Sequence, residues 1–161
     1  MSSFFRILAL GGFLLVTTLG ISSAHAAIFV NAQTFVDGQP KCLSVFFGAD
    51  GSQAFLFPCT ASFFQMWNWE DIEIRGLGTT NLDLKCLDVQ GGGMANNTPV
   101  QMFTCNATGA QRWFYAASGQ IINPPSGKCL DLHPLANGNS FVEVVISTCD
   151  SSNVSQQWLI Q

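Results

Sequence analysis

Apolar and polar residues alternate over short stretches of this chain, and turn-forming residues separate the stretches. Residues 71–75 read polar, apolar, polar, apolar, polar, which is the period-two pattern of a half-buried strand. We find no amphipathic stretch of helical spacing that is long enough to predict a helix. Clusters of glycine, asparagine and proline mark turns at residues 50–51, 96–97, 123–125 and 137–139. The pattern therefore predicts an all-β fold of short strands.

One pattern of motifs occurs three times along the chain. Lys-Cys-Leu begins at residues 41, 85 and 128, which are 44 and 43 residues apart. Gln-x-Trp begins at residues 65, 111 and 156, which are 46 and 45 residues apart. Between these motifs each copy has a second apolar run and a second cysteine. A repeat of this period indicates an architecture in which similar supersecondary units pack against each other.

The repeated Lys-Cys-Leu-Asp and Gln-x-Trp motifs resemble those of the ricin B-type lectin family, and the resemblance extends from Lys41 to Trp158. It implies a β-trefoil, in which three repeats pack about a pseudo-threefold axis. We place the domain at residues 27–161, with repeats at about 28–76, 77–120 and 121–161. In this family the Gln-x-Trp tryptophans belong to the core, so Trp67, Trp113 and Trp158 are expected to be scaffold.

Residues 1–26 have the features of a secretory signal peptide. Arg6 supplies a positive n-region, residues 7–16 are apolar, and residues 24–26 have the small-x-small form of a cleavage site. A transmembrane anchor is the alternative, but the apolar stretch is shorter than the ~20 residues that a spanning helix needs. We therefore expect cleavage, a mature chain without a membrane span, and secretion to an extracellular or periplasmic location.

The charge of the chain argues against one class of partner. The formal net charge is −4, and removing Arg6 with the signal peptide changes it to −5. The five remaining basic side chains are scattered singly, so they form no patch for a phosphate backbone. We therefore expect no nucleic-acid partner.

All six cysteines follow residue 26, and each repeat contains two of them. Six cysteines allow many connectivities, but an exported chain favours disulfides and the repeat symmetry favours pairing within each unit. Zinc binding is the alternative, but the chain has no Cys-x-x-Cys pair and His133 would be its one histidine after cleavage. We expect no metal and no cofactor. The predicted bridges are Cys42–Cys59, Cys86–Cys105 and Cys129–Cys149.

The middle repeat best matches the sugar-site pattern of the family it resembles. A carboxylate after Cys-Leu accepts bonds from sugar hydroxyls, and an amide and an aromatic ring precede the second cysteine by four and two residues. The alternative for the aspartate is a turn residue that bonds local amides. Ala110 replaces an asparagine that is frequent in relatives, and residues 91–93 are glycines that suit a tight loop beside a ligand. The expected sugar-binding residues are Asp88, Gln101, Phe103 and Gln111.

The last repeat is a second candidate site with a weaker pattern. Asp131 and Gln156 are in place, but Val145 replaces the amide and Ser147 replaces the ring. The loop after the strand offers His133 as another ring. In the first repeat all three polar positions are lost, so we expect no sugar site there. The replacing residues in the first repeat are Ser44, Phe55 and Phe64.

Phenylalanine is concentrated in the first repeat. Of the eleven phenylalanines after residue 26, eight lie between residues 28 and 76. An exposed patch of these rings would mark a surface for a protein partner or for a homo-oligomer. The alternative is a packed core with one or two exposed rings. The eight residues are Phe29, Phe35, Phe46, Phe47, Phe55, Phe57, Phe63 and Phe64.

The sequence gives no support to an enzymatic activity. Glu70, Asp71 and Glu73 lie on one alternating segment, which is typical of a solvated strand edge. His133 has no Gly-x-Ser-x-Gly motif to accompany it. Two functions remain: a secreted lectin for galactose-type or related sugars, or a β-trefoil interaction protein, such as a toxin's attachment subunit, whose sugar sites have decayed.

Overall fold

The computed structural model describes residues 26–33, 38–46, 48–76, 85–133 and 141–161. The predicted signal peptide, apart from Ala26, lies outside the described residues, as do Phe35, Phe47 and the turn predicted at 137–139. The described backbone forms twelve strands and four short 3₁₀ turns without an α-helix, which confirms the all-β prediction. Within these residues no helix is long and apolar enough to cross a membrane.

The strands form three sets of four, one set for each repeat. The first set is β1 (Phe29–Asn31), β2 (Lys41–Val45), β3 (Ser52–Pro58) and β4 (Trp67–Glu70). The second set is β5 (Glu73–Gly76), β6 (Lys85–Val89), β7 (Thr98–Thr104) and β8 (Phe114–Tyr115). The third set is β9 (Ile121–Asn123), β10 (Lys128–Leu132), β11 (Val142–Thr148) and β12 (Trp158–Ile160). A 3₁₀ turn precedes the fourth strand of each set, at Phe63–Gln65, Gly109–Gln111 and Val154–Gln156.

The second set begins earlier than the sequence pattern predicts. Strand β5 pairs with β6 as β1 pairs with β2, so the second unit begins at Glu73 and not at the predicted residue 77. The strand also starts two positions later than the alternation from Asp71 suggests. Asp71 has a φ of 52°, and with Ile72 it forms the turn between β4 and β5. A left-handed residue interrupts the extended backbone, which explains the difference.

All strand pairs are antiparallel, and the three longest strands pair with each other. Each of β3, β7 and β11 forms a hairpin with the preceding Lys-Cys-Leu strand. The same three strands also pair as β3–β7, β7–β11 and β11–β3, which closes them about the pseudo-threefold axis. Strand β1 pairs with β12, so the first and last repeats are joined as well. This closure gives each repeat two neighbouring repeats.

The three Gln-x-Trp tryptophans lie in the core and make the same hydrogen bond in each repeat. Each indole N–H donates to the carbonyl of the leucine in the Lys-Cys-Leu motif of its own repeat. The side chains are fully buried and pack with leucine, isoleucine and valine from all three repeats. The indole therefore fills the core and satisfies its single donor at once. The distances are 3.0 Å for Trp67 to Leu43, 2.8 Å for Trp113 to Leu87 and 3.1 Å for Trp158 to Leu130.

Three disulfides join the two central strands of each repeat at one end. They are the bridges that the repeat symmetry predicts, and the described residues contain no free cysteine. The bridged cysteines are separated by 17, 19 and 20 residues, and loops of this size correspond to about 3 kcal/mol of stability each in the chain-entropy estimate. The bridges stabilise the ends of the strands from which the candidate site is built.

Side chains in the hairpin loops also tie each repeat to the next one. Asp50 Oδ1 accepts hydrogen bonds from Lys85 Nζ and the Thr104 backbone N–H, each at 2.7 Å. One repeat further on, Asn96 Oδ1 accepts from the Thr148 backbone N–H at 2.9 Å. The bond from the Lys85 ammonium, with those from Thr104, lowers the pKa of the Asp50 carboxyl below its ordinary value.

Candidate functional site

The carboxylate of Asp88 is the centre of the candidate site. Asp88 lies near the end of β6, and the strand register places it directly opposite Gln101 on β7. Gln101 Nε2 donates to Asp88 Oδ1 at 2.9 Å, and Gln111 Nε2 donates to Asp88 Oδ2 at 3.1 Å. Each oxygen is thus fixed by one amide, and lone pairs remain on both oxygens for further donors.

Gln111 belongs to the supporting frame beneath the carboxylate. Its side chain is 0% exposed and is not part of the cavity lining. Besides the bond to Asp88, its Nε2 donates to the Thr104 carbonyl at 3.0 Å and its Oε1 accepts from the Asn106 backbone N–H at 2.8 Å. These bonds fix the amide, and the amide in turn fixes the orientation of Asp88.

Asp88, Gln101 and Phe103 line one cavity of about 440 Å³. Asp88 is 4% exposed, so the carboxylate is at the bottom of the cavity, while Phe103 is half-buried in its wall. Residues from the next part of the chain also line the cavity, and Met94 lines it from the loop after β6. The cavity thus has a carboxylate, an amide, an aromatic ring and an apolar rim. The lining residues from this later part of the chain are Asn106, Thr108, Gly109, Ala110, Asn123, Pro125 and Ser126.

The loop after β6 depends on glycine for its conformation. Gly91 and Gly92 have φ values of 62° and 63°, in the left-handed region that glycine adopts without a steric penalty. Both lie in the 3₁₀ turn Gln90–Gly92 and both line the cavity. The prediction of a tight loop beside the site is consistent with this geometry.

The structure brings together three of the four residues predicted for the middle site, and it adds others. Gln111 touches the site only through Asp88. The lining residues Asn123 and Pro125 come from the third repeat, where the sequence pattern predicts only a turn. Asn106 was also missed, although its position directly after Cys105 was a usable signal. Asn123 Nδ2 donates to the Gly109 carbonyl at 2.9 Å, which holds this wall against the middle repeat.

The last repeat has a similar but smaller cavity of about 270 Å³, lined in part by Asp131, His133, Ser147 and Ser155. Gln156 Nε2 donates to Asp131 Oδ2 at 2.9 Å, as Gln111 does to Asp88. The residue opposite Asp131 is Val145, which has no amide to offer. Asp131 and Gln156 are therefore together in space, and Gln156 is again buried beneath the carboxylate.

In the first repeat the equivalent place is occupied by phenyl rings, which we call the phenyl cluster. The ring centroids are 4.4 to 6.4 Å apart, and the rings of Phe46, Phe64 and Phe141 are exposed by 39%, 41% and 47%. Phe29 lies instead in the core, so the first repeat has both packed and exposed rings. The phenyl cluster consists of Phe46, Phe55, Phe57, Phe64 and Phe141.

Two acidic residues of the β4–β5 hairpin, Glu70 and Glu73, form ion pairs with Arg75. Arg75 contacts Glu70 Oε2 at 2.6 Å and Glu73 Oε2 at 2.8 Å, and the bond to Glu73 raises the pKa of the guanidinium above its ordinary value. Glu73 also lies near the sulfurs of Cys86 and Cys105. Those sulfurs form a disulfide, so they are not thiolates that could bind a metal ion.

Comparison with known proteins identifies a sequence family. A family model described as "Ricin-type beta-trefoil lectin domain" matches residues 33–158. Polypeptide N-acetylgalactosaminyltransferase 10 of Mus musculus is 30% identical over 69 residues, which are 42% of this chain and 11% of that protein. Polypeptide N-acetylgalactosaminyltransferase 9 of Macaca fascicularis is 29% identical over 120 residues, 70% of this chain. The matched regions thus span 11% to 18% of these relatives.

Solved structures share the fold. The agglutinin from Abrus precatorius matches with a TM-score of 0.65 and 25% identity, over 86% of this chain and 49% of the agglutinin. A designed protein with threefold symmetry, ThreeFoil, matches with a TM-score of 0.69 and 19% identity, over 84% and 96% of the two chains. The threefold-symmetric match and the pairing of β3, β7 and β11 confirm the β-trefoil prediction.

Proposed function

The chain belongs to the ricin-type β-trefoil lectin domain family, and from this membership we propose that it is a secreted lectin for galactose-type or related sugars. The family's domain is a non-catalytic, carbohydrate-binding one. We assign the sugar to the cavity of the middle repeat. The names of the matched relatives concern N-acetylgalactosamine, a galactose-type sugar, which supports this choice of ligand class.

The observation that carries the proposal is the shared cavity of Asp88, Gln101 and Phe103. A pyranose has vicinal hydroxyls on its edge and an apolar face formed by C–H groups. Asp88 at the bottom of the cavity accepts from two hydroxyls, and the ring of Phe103 packs against the face. Each charge-assisted hydrogen bond contributes roughly 1.5–3 kcal/mol, and the ring contact about 0.5–1.5 kcal/mol.

Gln101 and Gln111 have different roles in this proposal. Gln101 lines the cavity, so its amide can bond a sugar hydroxyl while it holds Asp88 Oδ1. Gln111 is buried, and it acts on the sugar by fixing the orientation of Asp88. A carboxylate fixed in advance loses little conformational entropy when the sugar binds.

A single shallow site of this kind binds weakly. Water competes for every sugar hydroxyl, so we expect a Kd in the millimolar range, near ~4 kcal/mol of binding free energy. Presentation of several sugars on one surface would raise the apparent affinity only when several sites or several molecules act together.

Export agrees with the cysteine chemistry. Three disulfides and a lectin domain indicate an extracellular or lumenal location. Secretion itself is part of the proposal and depends on the predicted signal peptide at residues 1–26. Expression of the full chain with mass determination of the exported product tests it, and a product that retains residues 1–26 would contradict it.

A glycan array followed by calorimetry on the strongest ligand tests sugar binding. We expect Asp88→Asn to weaken binding about tenfold to a hundredfold, because a carboxylate acceptor for two hydroxyls is lost. Asp131→Asn is the matched control and should leave the affinity within about twofold, or ~0.4 kcal/mol, because Asp131 lines the other cavity. An array without any bound glycan, or an effect of Asp131→Asn alone, would refute the assignment.

The phenyl cluster favours a second candidate function, which is protein interaction through the first repeat. Phe63, next to the cluster in sequence, is 72% exposed, and apolar rings at the surface are typical of interaction sites. We take a second copy of this chain as the partner, because the cluster is uncharged and its rings can pack on those of a copy.

Light scattering across a concentration series tests this second candidate. The double variant Phe46→Ser/Phe64→Ser should shift the chain toward the monomer, while Phe114→Ser, an exposed ring of the middle repeat, should not. An unaltered chain that stays monomeric at millimolar concentration would exclude self-association.

A further inference from the structure

In the middle and last repeats the glutamine of Gln-x-Trp donates to one carboxylate oxygen of the aspartate, Asp88 or Asp131. The other oxygen of the carboxylate has different donors in the two repeats. Gln111 and Gln156 hold one oxygen of each carboxylate, at 3.1 and 2.9 Å. In the middle repeat the described donor to the other oxygen is Gln101 Nε2, at 2.9 Å. In the last repeat the equivalent oxygen accepts from the Leu132 backbone N–H at 2.7 Å, and Ser155 Oγ lies 2.5 Å from it. The same hydroxyl lies 2.8 Å from Asn153 Oδ1. A hydroxyl has one proton to donate, and the charged carboxylate at the shorter distance is the stronger acceptor.

This difference in donors determines how many lone pairs on Oδ1 of each aspartate can still accept a hydrogen bond from a ligand. A carboxylate oxygen accepts about two hydrogen bonds. Asp131 Oδ1 therefore has its full number of donors from the protein, whereas Asp88 Oδ1 retains one open position. Oδ2 of each aspartate has one described donor, so Asp131 offers one acceptor position where Asp88 offers two. Exposure does not explain the contrast, because the two aspartates are almost equally buried at 4% and 6% exposed.

The hydroxyl of Ser155 is held in place by its own backbone. Ser155 lies directly before Gln156 in the 3₁₀ turn, where the middle repeat has Ala110. Its N–H donates to Asn153 Oδ1 at 3.1 Å, and its carbonyl accepts from Asn31 Nδ2 of the first repeat at 2.8 Å. A sugar hydroxyl that replaced Ser155 Oγ would lose translational entropy, and the serine hydroxyl has already lost it on folding.

We propose that Ser155 closes the last repeat to sugars, because its hydroxyl occupies the acceptor position that a sugar hydroxyl would use on Asp131. The residue directly before Gln-x-Trp then determines how many repeats bind: Ala110 leaves the middle site open, and Ser155 fills the last one from within. This inference rests on the proposed sugar site of the middle repeat. The absent amide at Val145 weakens the last site further, but Ser155 is what removes the second acceptor position that two neighbouring sugar hydroxyls need.

The first experiment rebuilds the last site with and without the serine. In an Asp88→Asn background, which silences the middle repeat, Val145→Gln and Ser147→Phe restore the amide and the ring. We measure binding of lactose and of methyl N-acetyl-α-galactosaminide by calorimetry. With Ser155 present, binding should stay at the level of the background. Adding Ser155→Ala should raise the affinity at least about tenfold, the effect of one hydrogen bond to a charged group.

The second experiment introduces the same hydroxyl into the middle repeat of the otherwise unaltered chain. Ala110→Ser should weaken sugar binding about tenfold, because the new hydroxyl donates to Asp88. Ala110→Val adds volume without a donor and separates crowding from hydrogen bonding. Thermal unfolding of each variant establishes that it is folded.

The outcomes of the two experiments are distinct. Equal binding with and without Ser155 in the rebuilt site, or an equal loss from Ala110→Ser and Ala110→Val, overturns the role of the serine. An unaltered chain that binds no glycan removes the proposed function and this inference with it. An unaltered chain that binds sugar while Ala110→Ser has no effect removes only the inference.

Discussion

The first and middle repeats are built on the same hydrogen-bonded frame but have different surfaces above it. Gln65 and Gln111 each accept from a backbone N–H at 2.8 Å and donate to a backbone carbonyl at 2.9 and 3.0 Å. Each also donates to the residue after Cys-Leu, which is Ser44 in one repeat and Asp88 in the other, at 3.0 and 3.1 Å. The frame is therefore independent of whether the repeat can bind a sugar.

The surface depends on a few positions above the frame. The middle repeat has polar or small residues at three of them, and the first repeat has phenylalanine at all four. Rings in these positions pack on each other, whereas an amide and a carboxylate leave polar groups facing a cavity. A repeat of this fold can thus change its partner without changing its scaffold. The pairs of equivalent residues are Gln90 and Phe46, Gln101 and Phe55, Phe103 and Phe57, and Ala110 and Phe64.

The largest effects should come from the frame and should be alike in the two repeats. We expect Trp113→Ala and Trp67→Ala each to lower the free energy of unfolding by about 3–5 kcal/mol, because both remove a fully buried indole from the shared core. Denaturant titration with the disulfides intact measures the loss. A large loss for one variant and a small loss for the other would show that the repeats do not share their frame equally.

A smaller effect on stability should be the same at two glycines with a left-handed backbone, while the effect on sugar affinity should differ between them. Gly91 and Gly38 have φ values of 62° and 65° with open space around the added Cβ, so alanine at either should cost about 1–2 kcal/mol of stability. Gly91 also lines the middle cavity, so Gly91→Ala should weaken sugar binding as well. Gly38→Ala is the control in the first repeat. An equal affinity for both variants would show that the loop shape is irrelevant to binding.

The two equivalent rings Phe103 and Phe57 should differ in what they affect. Phe103→Ala should weaken sugar binding about twofold to tenfold, which corresponds to the roughly 0.5–1.5 kcal/mol of a ring contact. Phe57 packs on Phe141 at 5.7 Å, so Phe57→Ala should loosen the phenyl cluster and leave the sugar affinity unchanged. Calorimetry on both variants measures this, and a loss of affinity from Phe57→Ala would contradict the division between the repeats.

The smallest effect on stability should come from the contact between the first and middle repeats, which is the ion pair of Asp50 with Lys85. The Asp50 pKa is lowered in the folded chain by the Lys85 bond, so this carboxylate stabilises the fold above its unfolded pKa of about 3.9. The contribution is lost as the pH falls through the lowered pKa. Because Asp50 is 39% exposed, screening limits the cost of Asp50→Asn to about 1 kcal/mol or less at pH 7. Unfolding curves of the two proteins should converge in acid, and a constant gap would exclude the ionic contribution.

Much of the frame could be predicted from the sequence because its residues recur at fixed spacing. The three cysteine pairs and the three tryptophans each occupy one position in every repeat, so the symmetry is visible in the chain itself. The pairing of Asp88 with Gln101 also follows, because the hairpin register is local. The repeated motifs therefore predict the scaffold and also the polar residues on its strands, such as Asp88 and Gln101.

The rest of the site depends on contacts that cross between repeats. Asn123 and Pro125 line the middle cavity from the following repeat, and Phe141 enters the phenyl cluster from the last one. Spacing within a repeat contains no information about such neighbours. The closure of Asp131 by Ser155 was likewise not predictable, because it depends on the direction of one hydroxyl within a 3₁₀ turn.

The origin of the cavity walls has a consequence for how such a protein can arise. Asn123, Pro125 and Ser126 of the third repeat line the middle cavity, and Gln33 of the first repeat and Asn97 of the middle repeat line the last one. Three of the fourteen residues that line the middle cavity thus come from another repeat, so one copy of the repeating unit lacks part of its pocket. An ancestral single unit would have needed a neighbouring copy, as a separate chain or a tandem duplicate, before it could enclose a sugar.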